Sequence, residues 1–133
     1  MDVYTASVQR ALEAQLVEVG TAYRQAIKDY YLSAPDGKHR YPERLEDLLK
    51  DSRHAVARRY IRRIHLDPMT STPFVALIAP QGGVWGVSSR STKKPMRSST
   101  PSGVDAAEIH SYADWKFIFD GSHPRKPARA EGL

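Results

Sequence analysis

The sequence contains no cysteine. That excludes disulfides, thiolate zinc sites and thiol catalysis, and it leaves the redox compartment open. No run of about 18 apolar residues occurs, so nothing in the chain reads as a membrane span. No short apolar core follows Met1, so no signal peptide is visible. No Gly-x-Ser-x-Gly elbow is present, and no His and Asp stand in a motif that would activate a serine. Catalysis is therefore not expected. Gly82-Gly83 lacks the Lys-Ser/Thr ending of a phosphate-cradling loop. His54 and His65 lack a carboxylate cluster at metal-ligand spacing.

What is present starts with a stripe. Over residues 4–33, Val8, Leu12, Leu16, Val19, Tyr23, Ala26 and Tyr30 recur at steps of three and four. That is the apolar face of one long helix. No proline interrupts it, and Gly20 is its weak point. A helix of about 28 residues is roughly 42 Å long, so the following segments must fold onto it as a small sheet. Arg10, Glu13, Glu18, Arg24, Lys28 and Asp29 fall off the stripe and read as a solvated face. Tyr23, Tyr30 and Tyr31 read as core aromatics with hydroxyls reaching water. The chain begins abruptly inside this amphipathic pattern, as a piece of a longer protein would.

At 133 residues, with 41% hydrophobic and 26% charged residues, the chain has the size and balance of one globular domain. Its net charge of +5 favours an acidic partner, nucleic acid or an anionic membrane surface. The turn at 33–38 ends the helix through Pro35 and Asp36-Gly37. Pro42 suits a first helical turn, and Glu43, Glu46 and Asp47 suit the positive end of a dipole. The spacing of Leu45, Leu48 and Leu49 predicts a short second helix.

Residues 51–65 carry Arg53, Arg58, Arg59, Arg62 and Arg63, with Tyr60, Ile61 and Ile64 interleaved. Two readings stand side by side. One is a phosphate or lipid-headgroup patch. The other is a solvated segment whose arginines pair with carboxylates of the helices or of a neighbouring subunit.

Asp67-Pro68 opens the β half with an extended or turn conformation. Residues 73–79 and 84–88 read as strands around a hairpin turn at 80–83. Phe74, Val75, Leu77, Ile78, Val84 and Val87 are the expected core face, with Trp85 as an anchor. A polar loop covers 88–103. A third strand at 114–119 places Trp115, Phe117 and Phe119 on one face, alternating with Lys116 and Ile118. The expected fold is α+β: a spine helix on a three-stranded antiparallel sheet, with a short second helix and long loops. It forms one domain over 1–119, with the spine at 1–34, a helical and basic connecting region at 41–66 and the sheet at 73–119. Residues 120–133 read as a flexible tail.

Six short motifs in order carry a resemblance. They are AYRQAI at 22–27, YPERLEDLLKD at 41–51, RRYIRRI at 58–64, DPMT at 67–70, GGVWGVSS at 82–89 and YADWKF at 112–117. Over roughly residues 9–119 the chain resembles the periplasmic part of type II secretion pseudopilins, those similar to the major subunit. The resemblance implies a non-enzymatic structural subunit of a type IV pilin-like fold. Val8, Leu12, Leu16, Val19, Tyr23 and Tyr30 would then serve helix packing and assembly. Arg58, Arg59, Arg62 and Arg63 would form a charged interface. Pro42, Asp67, Pro68, Trp85 and Trp115 would anchor the fold.

The implied partners are other pseudopilin subunits and an inner-membrane assembly platform. The implied membrane attachment is an N-terminal helix absent from this chain, with this domain in the bacterial periplasm. No cofactor is expected except calcium, which the family binds before the last strand. The corresponding ligands are Asp105 and Asp114. Calcium wants six to eight oxygens, and Glu108 is the one other acid in that stretch. The bland reading is that Asp114 caps a turn and Asp105 is exposed. The runner-up function is a nucleic-acid-binding or DNA-uptake module using the arginine stretch with Lys93 and Lys94.

Overall fold

Thr5 starts the long helix. Its side-chain oxygen accepts the Val8 N–H at 3.1 Å, which satisfies one of the orphan donors of the first turn. Helix α1 runs over Ala6–Leu32, and the Ser33 N–H closes its end on the carbonyls of Asp29 and Tyr30. The computed structural model describes residues 5–97, 99–101, 104–105 and 108–121. The tail expected at 120–133 lies outside the described residues from 122 onward.

The strands are short: β1 Leu66–Asp67, β2 Thr72–Pro73, β3 Val75–Ile78, β4 Val84–Ser88, β5 Val104–Asp105 and β6 Lys116–Ile118. β1 and β2 form a separate two-residue ribbon. The expected antiparallel sheet is present as β3-β4-β6, and β5 adds a two-residue edge beside β6. The molecule is thus α+β, one long N-terminal helix packed on a small antiparallel sheet.

The seam between helix and sheet is rotated from the expected stripe. Glu13, Leu16, Gly20, Tyr23, Ile27 and Tyr30 are buried, at steps of three and four. Ala26 is buried beside them, Leu12 and Val19 are half-buried, and Val8 is 45% exposed. Full burial begins at Glu13; before it, residues 5–11 are exposed except Gln9, which is half-buried and donates its side-chain amide to the Lys94 carbonyl and the Tyr112 hydroxyl. Gly20 is what lets the sheet approach. A Cβ there would lie 2.6 Å from the Phe117 ring, so the missing side chain is replaced by an aromatic face from β6.

The second helix is reduced to one 3-10 turn, Leu45–Leu48. The Asp47 carboxylate accepts the Glu43 and Arg44 N–H groups, and the Leu48 carbonyl is taken by the Tyr60 N–H. One hydrogen-bonded turn too short to propagate therefore suffices. Leu48 is fully buried, with Leu45 and Leu49 packed beside it. Residues 52–65 contain no helix or strand.

In the sheet, Leu77 pairs with Gly86 and Ile78 with Val84, which leaves Trp85 as the extra residue of a bulge. Trp85 is accordingly half-buried rather than a central anchor, and its carbonyl accepts the Phe119 N–H. β3 is the outer edge of the sheet, and Ile78 is 63% exposed there, contrary to its expected place in the core. Val75 and Leu77 are half-buried, while Phe74, Val84 and Val87 are buried. Trp115 and Phe117 are buried and Phe119 half-buried, the aromatic face read from the alternation. The hairpin turn is held by Ala79 N–H to Gly83 O at 2.8 Å. Gly83, at φ +86°, lies against Tyr41 and Pro42, where a Cβ would be 2.8 Å from the Tyr41 Cβ. Pro42 is fully buried, and its carbonyl accepts the Val84 N–H.

Candidate functional site

The basic stretch is a pinned loop. Asp51 and Arg58 form an isolated antiparallel bridge, with Asp51 N–H to Arg58 O at 2.7 Å and Arg58 N–H to Asp51 O at 3.2 Å. Beneath the bridge, the Asp51 carboxylate is 1% exposed. It accepts the Arg53 backbone N–H, two nitrogens of the Arg53 guanidinium at 2.8 Å each, and the Tyr60 hydroxyl at 2.7 Å. His54 Nε2 lies 3.3 Å away. The guanidinium also donates to the Tyr30 carbonyl at 2.7 Å and stacks 3.8 Å over the Tyr30 ring.

Burial alone would raise the Asp51 pKa. The Arg53 and Tyr60 hydrogen bonds outweigh it and hold the carboxyl well below the ordinary carboxylate range. Such an acid contributes its full stabilisation above its unfolded pKa, near 4, and loses it as pH falls through the folded value. The stability gap between the natural chain and Asp51→Asn is therefore expected to be widest at neutral pH. It should shrink as pH drops below about 4, as urea unfolding at stepped pH reads directly. A gap independent of pH down to 3 would show that the Asp51 charge is not what holds the loop.

Arg53 is thus an internal strut and not part of a charged surface. Arg58, Arg59, Arg62 and Arg63 are exposed, and among the described residues none forms an ion pair. The expected pairing of these arginines with helical carboxylates is not seen among the described residues. Tyr60 and Ile61 between the two pairs turn inward. Ile61 is buried, and the Tyr60 ring packs edge-on against Tyr30 at 5.9 Å. At the loop tip, Ala55, Val56 and Ala57 are all exposed, Val56 at 81%.

Two further buried carboxylates hold the surrounding loops. Asp67 accepts the Met69 N–H on one oxygen, and Thr70 Oγ1, Ser89 Oγ and the Arg90 N–H on the other. This is the anchoring expected of Asp67, and Ser71 takes a positive φ in the turn that it organises. Glu13 accepts the Tyr112 hydroxyl at 2.7 Å and the Met96 N–H at 2.8 Å, fixing the polar loop onto α1. Sequence reading missed Glu13 because its partners lie 83 and 99 positions away.

Tyr23 is buried, donates its hydroxyl to the His65 carbonyl and accepts the His65 N–H at 2.8 Å. An open groove of about 850 Å3 runs between α1 and residues 63–71, with Glu18, Val19 and Ala22 on one wall and Arg63, His65 and Pro68 on the other.

Asp114 caps the 3-10 turn Tyr112–Asp114 by accepting the His110 and Ser111 N–H groups at 2.7 and 3.0 Å, and these bonds lower its pKa. The backbone of Asp105 pairs with Lys116 in β5, and its side chain lies outside what is described. Among the described residues, no three His, Asp or Glu groups gather as metal ligands. Of the described acids in the expected calcium stretch, Asp114 already holds two backbone donors and the Glu108 carboxylate is exposed beside His110 at 3.4 Å. Among the described residues, no helix is long and apolar enough to cross a membrane.

Comparison with known proteins returns no match among family models, curated proteins or solved structures.

Proposed function

We propose that the chain is a non-enzymatic structural subunit of a type II secretion pseudopilus or a related pilus-like fibre. The single observation that supports this best is the helix left partly uncovered. Seven of its residues are buried within the domain, but over residues 5–11 only Gln9 is held by it and the rest, with Val8, are exposed. A helix with an exposed N-terminal stretch is what a subunit needs to pack on neighbours. The order of elements, helix, irregular connection, then antiparallel sheet, fits a pilin-like fold. In this reading the partners are other subunits of the fibre and an inner-membrane assembly platform, and the domain faces the periplasm.

The absence of cysteine makes the test clean. Val8→Cys, made in the protein as the producing cell encodes it, gives a bismaleimide one thiol within these 133 residues. The expected result is a covalent dimer in the membrane or sheared-fibre fraction, since one thiol per subunit links subunits only in pairs. A monomer confined to the cytosolic fraction overturns the proposal.

A second reading, a nucleic-acid-binding or DNA-uptake module, is favoured by the four exposed arginines without ion pairs among the described residues. Its signature is binding that weakens steeply as salt rises.

A further inference from the structure

We infer that the loop closed by the Asp51–Arg58 bridge is a peripheral contact for an anionic lipid surface, with Val56 entering the interface and the four arginines binding headgroup phosphates. Three observations carry this. The loop tip is apolar and points nowhere into the fold: Val56 is 81% exposed between two exposed alanines. A protruding valine serves no phosphate backbone, but it gains by leaving water for the acyl boundary. Next, Arg58, Arg59, Arg62 and Arg63 are displayed within six residues of chain directly after that tip. Guanidinium groups match phosphate oxygens bidentately, and long arginine stems sit comfortably at an interface.

Lastly, the loop is rigid beneath. The Asp51–Arg53 pair, the Tyr60 hydroxyl and the buried Ile61 fix the backbone, so tip and cations are held ready before binding. The same inward turn of Tyr60 removes the aromatic that single-stranded nucleic acid would stack on. The inference gives to lipid the four arginines that the pseudopilin resemblance would place at a charged subunit interface, and leaves the helix contacts of the fibre reading untouched.

The test is co-sedimentation of the 133-residue chain with vesicles of phosphatidylcholine alone and with 30% phosphatidylglycerol. Binding to a 20-base-pair duplex is followed in parallel. Each arginine is expected to contribute roughly fivefold to affinity for the anionic vesicle. Replacing Arg58, Arg59, Arg62 and Arg63 together by alanine should therefore abolish sedimentation. Val56→Ser should weaken vesicle binding by roughly tenfold and leave any duplex binding unchanged. Both variants alter exposed side chains, and an unchanged unfolding midpoint verifies that they fold. Three results would overturn the proposal. One is no binding to anionic vesicles, and another is equal binding to neutral ones. The third is loss of vesicle and duplex binding alike in the arginine variant with no effect of Val56→Ser, which identifies a nucleic-acid surface instead.

Discussion

Gly20→Val is expected to lower the thermal midpoint by roughly 10 °C, a loss of about 3 kcal/mol or more. The substituted Cβ would lie 2.6 to 2.7 Å from three atoms of the Phe117 ring. That ring is buried in the centre of β6 and cannot swing out to solvent. Helix propensity works the other way. Valine favours the helix over glycine by a few tenths of a kcal/mol, so a net loss must come from the steric contact. A double-mutant cycle isolates it. In a Phe117→Leu background, Gly20→Val should cost clearly less than in the natural chain. Equal cost in both backgrounds would show that the close approach of helix and sheet is not what glycine is there for.

Asp67→Ala is expected to cost about 3 kcal/mol in urea unfolding, and Asp67→Asn about half as much. The side chain is fully buried and accepts four hydrogen bonds from two segments, its own turn and Ser89-Arg90. Alanine takes the acceptor from the buried Met69 N–H and from the partly buried Arg90 N–H. Asparagine can keep its oxygen where three donors converge, but its amide then faces the Met69 N–H, donor against donor. The ordering of the two variants is the informative part. If Asn were as damaging as Ala, the negative charge and not the count of acceptors would be decisive. If neither lost stability, the turn at 67–71 would be held by its backbone bonds alone.

Much of this architecture was legible because it depends on neighbours in sequence. The long helix, its end at 33, the hairpin at 80–83 and the aromatic alternation around Phe117 all follow from local spacing and turn chemistry. The exact face of the helix did not. Val8 and Val19 are as apolar as the residues that are buried, and Glu13 and Gly20 look like a solvated charge and a defect. Their roles exist only once Tyr112 and Phe117 arrive from the far end of the chain.

The second helix failed for a related reason. Its leucines are spaced correctly, but a carboxylate cap at one end and Tyr60 at the other satisfy the backbone after a single turn. In the arginine stretch, composition announced the charge and could not say that Arg53 faces inward. The signal available was Asp51 two residues before it, a spacing that allows one side chain to fold back on the other.

The pairing of the first helix with the last strand also governs the order of events at the ribosome. α1 emerges before the sheet, and the ring that covers Gly20 and the hydroxyl that meets Glu13, 99 positions on, follow much later. Until then, an amphipathic rod with bare tyrosines and leucines waits in water. Loop closure over such a span is slow, and a waiting apolar face is a site for aggregation or capture. A nascent chain of this design is therefore a natural client for a holdase. A truncation anywhere before Phe117 would remain one permanently.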